Sequence, residues 1–277
     1  MRAAKIAILA ALVIIVGAIL FLAGSRAVAL SYVSPLEKGE PGAVKQILDK
    51  GMGELLEKYH FRVIASAGVS LPAAPEQAET LHPLAERFFY VDSAGNVTIK
   101  GLSDENIPED LSQKCILFAD SGLSWFKARM LFDAFISEKI RTVYAAGLTA
   151  SGKLAYTPFE VAAPGAFPML YRHRICLLSD DKVYEYFEED GSIVKFDSYA
   201  EFEKIAADIR DSSVSEKPFV RVLALDRVSF DAAFRTLAMF KPANLQAIVM
   251  VRTDDREYIL AEVEELAARK NKPEEEK

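Results

Sequence analysis

The sequence predicts a mixed α/β (α+β) protein: one N-terminal transmembrane helix followed by two small sheet-and-helix domains. Ile6 to Gly24 contains no charged or strongly polar side chain, and a run of that length crosses a hydrocarbon core at about 1.5 Å per residue. Further along, Cys115 to Asp120 runs through Ser124 into an apolar-periodic helix and a strand, Thr142 to Ala146. Val222 to Asp226 does the same through Ser229, ending in Ala247 to Val251. Past the loop after each Asp the two segments align without a gap, with Leu123-Ser124-Trp125 over Val228-Ser229-Phe230, Phe132 over Leu237, Phe135 over Phe240 and Val143 over Ile248. An internal repeat constrains the fold before any single motif does.

The chain divides as a cytoplasmic tip (1–5), the transmembrane helix (6–24), a juxtamembrane helix (34–60), a first domain (61–150), a linker (151–173), a second domain (174–254) and a C-terminal helix with a charged tail (255–277). A cleaved signal peptide fits the start less well, because the apolar run exceeds the ~7–15 residues usual there and Arg26 interrupts the approach to the Ala27-Val28-Ala29 cleavage site. Arg2 and Lys5 before the run, against Arg26 alone beyond it, place the N-terminus in the cytoplasm. Setting those three aside leaves 30 basic against 40 acidic residues, a net charge of −10 on the exported part. Such a surface does not attract nucleic acid.

The elements follow in order. Glu40 to Tyr59 has Val44, Ile47, Leu48, Met52, Leu55 and Leu56 at helical spacing, kinked or split at Gly51 and Gly53. Phe61 to Leu71 reads as a strand stopped by Pro72, and Ala73 to Leu84 as a linker. Phe88 to Asp92, a Ser-Ala-Gly turn and Asn96 to Lys100 make a hairpin. Pro158, Pro164 and Pro168 mark the inter-domain connection. In the second copy Arg174 to Leu178 is followed by a second hairpin, Val183 to Phe187 and Ser192 to Phe196, whose Gly191 aligns with Gly95. Ser198 to Arg210 and Arg256 to Lys270 read as amphipathic helices. Each domain is expected to be a small twisted sheet with helices on one face.

No catalytic signature stands out, and no metal or cofactor is implied. His60, His82 and His173 are far apart, lack metal-ligand spacing and read as surface or loop residues. There is no phosphate-cradling glycine loop and no nucleophile elbow. Asp120 and Asp226 end equivalent strands; the plain reading is that each bonds turn amides while Ser124 or Ser229 caps the next helix. Cys115 and Cys176 fall in strands, either as buried thiols or as a disulfide. In the membrane helix Ala10, Gly17 and Gly24 stand seven apart on a small-residue face suited to close helix packing. That helix carries no ionisable residue to handle a proton.

The order of these motifs resembles the ExbD/TolR family of biopolymer-transport and envelope-energising subunits of the Gram-negative inner membrane. Val69-Ser-Leu-Pro-Ala-Ala74 is similar to that family's first exported stretch, through Leu71 and Pro72. Tyr90 to Gly101 resembles its hairpin, and Phe118-Ala-Asp120 and Leu223-Ala-Leu-Asp226 its Asp strand. The resemblance implies a single-pass inner-membrane protein with periplasmic C-terminal domains, self-association as a homodimer, and a polytopic TolQ/ExbB-like partner. Proton-harvesting members carry an Asp in the membrane helix; here no residue from Ile6 to Gly24 can take that role. The expected function is therefore an accessory or structural component of a transport or envelope-coupling complex, not an enzyme. The alternatives are a proton-coupled subunit whose acid comes from a partner, and a membrane-anchored periplasmic ligand-binding protein.

Overall fold

The structure, a computed structural model, describes residues 31, 33–74, 80–101, 112–162, 174–179, 182–187, 193–196, 219–224, 226–240 and 246–250. The expected transmembrane helix with Ala10, Gly17 and Gly24, the helix at 198–210, His173 and the C-terminal segment 255–277 lie outside these residues. Among the described residues no helix is long and apolar enough to cross a membrane.

After a helical stretch at 33–37 come two helices, α1 (Ala43–Asp49) and α2 (Gly53–Ala67). The juxtamembrane helix is split at the expected glycines, and Gly51 at φ +67° makes the turn between the two parts. The strand expected over 61–71 is helix up to Ala67. Val63 and Ile64 suggest a strand by propensity, but they continue the buried stripe of Leu56, Tyr59 and His60 at helical spacing. Gly68, at φ +67°, ends the helix, with Val69 N–H returning to Ile64 O at 3.2 Å.

The first copy then supplies β1 (Arg87–Val91), β2 (Val97–Gly101), β3 (Lys114–Ala119), α3 (Trp125–Ser137), β4 (Thr142–Leu148) and β5 (Leu154–Ala162). The second supplies β6 (Arg174–Ser179), β7 (Lys182–Phe187), β8 (Ile193–Phe196), β9 (Phe219–Ala224), α4 (Phe230–Phe240) and β10 (Gln246–Met250). All ten strands form one sheet in the order β2-β1-β3-β4-β5-β10-β9-β6-β7-β8. The copies are therefore halves of a single sheet. The strand that joins them, β5, lies inside the segment expected to be a linker; it runs antiparallel to β4 and parallel to β10. Pro158 is tolerated because it faces Tyr144 of β4, while pairing with β10 begins only at Glu160.

The register supports the sequence alignment. Val143 stands opposite Cys115, and its counterpart Ile248 stands opposite Arg221. One expected equivalence is overturned. On the side away from the closing strands β4 and β10, β3 pairs parallel with β1 and β9 with β6, so the hairpin matching β1–β2 is β6–β7. The hairpin around Gly191, β7–β8, places an additional strand at the far edge.

Side-chain alternation along the strands divides the core. Phe89, Val91, Leu117, Val143 and Phe159 pack with α3, α4 and the second-copy residues Leu178, Val222, Ala247 and Val249. Phe88, Tyr90, Phe118, Ala146 and Tyr156 point the other way, against α1 and α2. The first half is thus covered on both faces, not one, because the two N-terminal helices supply a second layer. Cys115 is a buried free thiol. The β6 strand bearing Cys176 lies five strands away in the sheet order, on the order of 24 Å, far beyond disulfide reach.

Helix α1 has no side-chain cap of its own behind Gly42. The carboxylate of Glu86, only 2% exposed, lies against its first turn, where the N–H groups of Val44 and Lys45 favour the charged form while burial raises its pKa, and its Oε1 has no hydrogen-bond partner among the described residues. Glu86→Ala should cost about 1–2 kcal/mol and loosen α1 selectively. Denaturant unfolding combined with amide exchange checks this; unchanged protection in 43–49 contradicts it.

Candidate functional site

The residues singled out from sequence converge where the two copies meet. Trp125 N–H donates to Val228 O at 2.7 Å, and Phe230 N–H to Leu123 O at 2.7 Å. Phe126 N–H donates to Asp226 O at 3.0 Å, and Asp231 N–H to Ser121 O at 3.1 Å. Residues 123, 125 and 126 correspond to 228, 230 and 231 in the gap-free alignment, and the same offset of 105 carried back into the loop sets Ser121 against Asp226, one residue on from the match of Asp120 with Asp226. Each bond therefore has a reciprocal partner, and Ser124 and Ser229 pair antiparallel at the centre. This is the contact pattern of an isologous dimer, formed within one chain.

Helix termini explain why the contact forms here. The first amides of a helix have no partner within the helix. Ser124 makes no side-chain cap bond, contrary to expectation, so the carbonyls of the opposite loop accept α3's leading amides. Ser229 does cap α4, accepting Ala232 N–H at 3.3 Å. Beneath the loops Leu123, Trp125, Val228 and Phe230 are fully or almost fully buried.

The two aspartates have different tasks. Asp120, 8% exposed, accepts Gly122 N–H at 2.9 Å and Ser70 N–H at 2.8 Å. That matches the turn-bonding expected of it and also ties in the 69–74 stretch, since Ser121 N–H returns to Ser70 O at 2.7 Å. Asp226 departs from the expectation. Its side chain crosses to the other copy and pairs with Arg129 of α3 at 2.8 Å, the guanidinium being largely buried and the carboxylate half-exposed.

Leu71 and Pro72 complete the arrangement. Pro72 O accepts Leu148 N–H at 2.8 Å, and Ala74 N–H donates to Leu148 O at 2.9 Å, so the stretch runs beside the end of β4. Leu71 is half-buried against the α1–α2 side of the core. Next to Leu148, Gly147 leaves room for the ring of Phe234 from α4; a Cβ there would lie 2.5 Å from Phe234 Cζ and 3.1 Å from Pro72 O. All four motif residues thus lie around the reciprocal loops or the strands that hold them.

A second cluster was missed in the sequence. His60, fully buried, bonds Tyr90 Oη through Nδ1 at 2.7 Å and His82 Nε2 through Nε2 at 2.9 Å. His82 Nδ1 donates to Pro83 O at 2.8 Å. The reading of these histidines as surface or loop residues fails for His60 and holds for His82 only in that its backbone lies outside regular structure. The available signal was helical spacing, since His60 shares the face of Leu56, Val63 and Ile64. Burial holds the His60 pKa well below its ordinary value, with His82 adding to the shift, and burial lowers His82 to about 4. Burial likewise pushes up the Tyr90 hydroxyl and the Cys115 thiol. Among the described residues no three His, Cys, Asp or Glu side chains gather as a metal ion would require.

Comparison with family models, with curated proteins and with solved structures finds no match.

Gly147→Ala should force Phe234 out of its seat and cost about 1–3 kcal/mol. Thermal unfolding would show the loss, and a pairing of Gly147→Ala with Phe234→Leu should recover part of it. Equal stability of wild type and Gly147→Ala would refute this packing.

Proposed function

We propose that the chain is a single-pass inner-membrane protein, resembling the ExbD/TolR family, that serves as a structural or coupling component of a biopolymer-transport or envelope complex. The observation that carries this reading is the intrachain two-fold junction, which makes two repeats one rigid sheet on a single stalk. The order of elements adds support: a hairpin β1–β2, a strand ending in Ala119 and Asp120, helix α3 and the closing strand β4. The apolar run at 6–24 supplies the anchor, and its Ala10, Gly17 and Gly24 face packs against a polytopic TolQ/ExbB-like subunit or a second copy. The exported part lies in the periplasm and acts by binding rather than by catalysis.

The junction also bears on self-association. A single-copy module would need a second chain to complete its helix start. Here the second repeat does so in cis, and the homodimer contact is assigned to the membrane helix.

Extraction of the tagged full chain in mild detergent should recover a multi-span membrane protein in fixed ratio, and Gly17→Leu should weaken that recovery several-fold while leaving the exported fold intact. Recovery of this chain alone, under conditions that keep other inner-membrane complexes together, rejects the reading. A coupling to the proton gradient would instead appear as crosslinking that changes when the gradient is dissipated.

A further inference from the structure

Hydrogen-bond chemistry orders the protons in the buried cluster without ambiguity. Pro83 O can only accept, so His82 Nδ1 carries a hydrogen. In neutral His82 the Nε2 atom is then a lone pair, which requires His60 Nε2 to donate across the 2.9 Å contact. His60 Nδ1 is left as the acceptor for the Tyr90 hydroxyl. Tyr90, His60, His82 and Pro83 thus form one directional chain when both imidazoles are neutral. The rings lie nearly coplanar, 9° apart with centroids at 5.1 Å, and Phe88 and Phe118 wall in His60 at 4.8 and 4.7 Å.

An added proton has no good place. On His82 Nε2 it sets N–H against N–H. Reversing the tautomer of His60 restores the bonds, with Tyr90 Oη accepting from His60 Nδ1, but leaves an imidazolium buried among aromatic rings. The titratable and charged groups around the pair do not relieve this. Helix α2 offers Tyr59, at the edge of the His60 ring, and Glu57, which accepts Leu154 N–H; Arg62 lies over Tyr59 and pairs with Glu37 of the preceding helical turn. Strand β1 offers Tyr90, β4 Tyr144 and β5 Tyr156, whose ring meets His82 edge-on at 5.3 Å. Glu86 is engaged with the α1 amides. Among the described residues no carboxylate acts on either imidazole: burial and His82 lower the first, and burial lowers the second against a smaller rise from the Pro83 carbonyl.

We propose that the His60–His82 pair is an acid-released clasp, which holds the segment 80–84 and the α2 layer on the sheet at neutral pH and lets go when the pair is protonated. His82 is the partner that leaves. It sits outside regular structure between Leu81, 75% exposed, and Leu84, 36% exposed, and its side chain hydrogen-bonds inward to His60. His60 is fixed on α2 and remains. The device would couple acidification to the attachment of the helices that follow the N-terminal segment, and it stands on this geometry whether or not the proposed assembly is correct.

The sign follows from linkage. Both histidines are bases whose pKa falls on folding, so the clasp is fully effective above about pH 6.5 and weakens as the pH drops toward the His82 value of about 4. Amide exchange on the full chain, expressed as protection factors so that the chemical rate's own pH dependence cancels, provides the test. Protection in α2 and in 81–91 should fall by up to about a hundredfold per pH unit below about 6.5, one factor of ten for each histidine, while α3 holds, and His82→Gln should cut that slope to about tenfold. Flat protection in the wild type, or an unchanged slope in His82→Gln, overturns the proposal. Should His82→Gln fail to fold, the imidazole NMR signals of the wild type decide the matter. Two of the three histidines staying neutral to below about pH 5 supports the clasp, and all three titrating near 6.5 overturns it.

Discussion

The architecture depends on one reciprocal exchange of backbone hydrogen bonds. Four amides at the starts of α3 and α4 donate to carbonyls of the opposite loop, and each such bond contributes only about 0.5–1.5 kcal/mol net. Their importance is in what they exclude. Without the opposite loop, the leading amides of two helices would be left unsatisfied above a core of Trp125 and Phe230, so neither copy is complete alone. The ring of Phe234 seated at Gly147 and the nine-residue strand β5 then join two cores into one.

The symmetry belongs to the backbone, and the side chains break it. Trp125, Ala128 and Phe132 are matched by Phe230, Ala233 and Leu237, all buried, because the core face of a duplicated helix must fill similar space. The outer positions are freer. Where α4 carries Asp231 and Arg235 as an ion pair at 3.0 Å, α3 carries Phe126 and Met130, 45% and 59% exposed. Asp120 organises its own turn while Asp226 reaches across to Arg129, and only the first half bears the α1–α2 layer. Two copies of one frame have thus acquired different outer surfaces.

Legibility in the sequence tracked how local each determinant was. The strand-loop-helix-strand alignment was readable because Leu123, Phe132 and Val143 face the core, and core positions retain their periodicity through duplication. The correct hairpin match was not readable. Gly95 and Gly191 advertise similar turns, but which strand lies beside β3 or β9 is decided by parallel pairing over long sequence separation. Strand β5 was hidden by Pro158, a break signal that acts only where a ladder bond is needed. The continuation of α2 past Tyr59 was masked by β-branched Val63 and Ile64, where tertiary burial overrides propensity. His60 and His82 come together only when α2 lies on the sheet, so their spacing in sequence conveys nothing about their contact.

The interface between the N-terminal helices and the sheet is polar at points where an apolar one would have been simpler. Glu86 holds the α1 amides, Glu57 accepts Leu154 N–H, and the Tyr90–His60–His82 chain crosses the centre. Burying such groups costs free energy that their hydrogen bonds only partly return, so they add little to stability over aliphatic packing. What they add is discrimination. A greasy helix face can slide or rotate on a sheet with small penalty, whereas a displaced Glu86 or His60 loses a directional bond in a medium that offers no replacement. The α1–α2 layer is thereby held in one register.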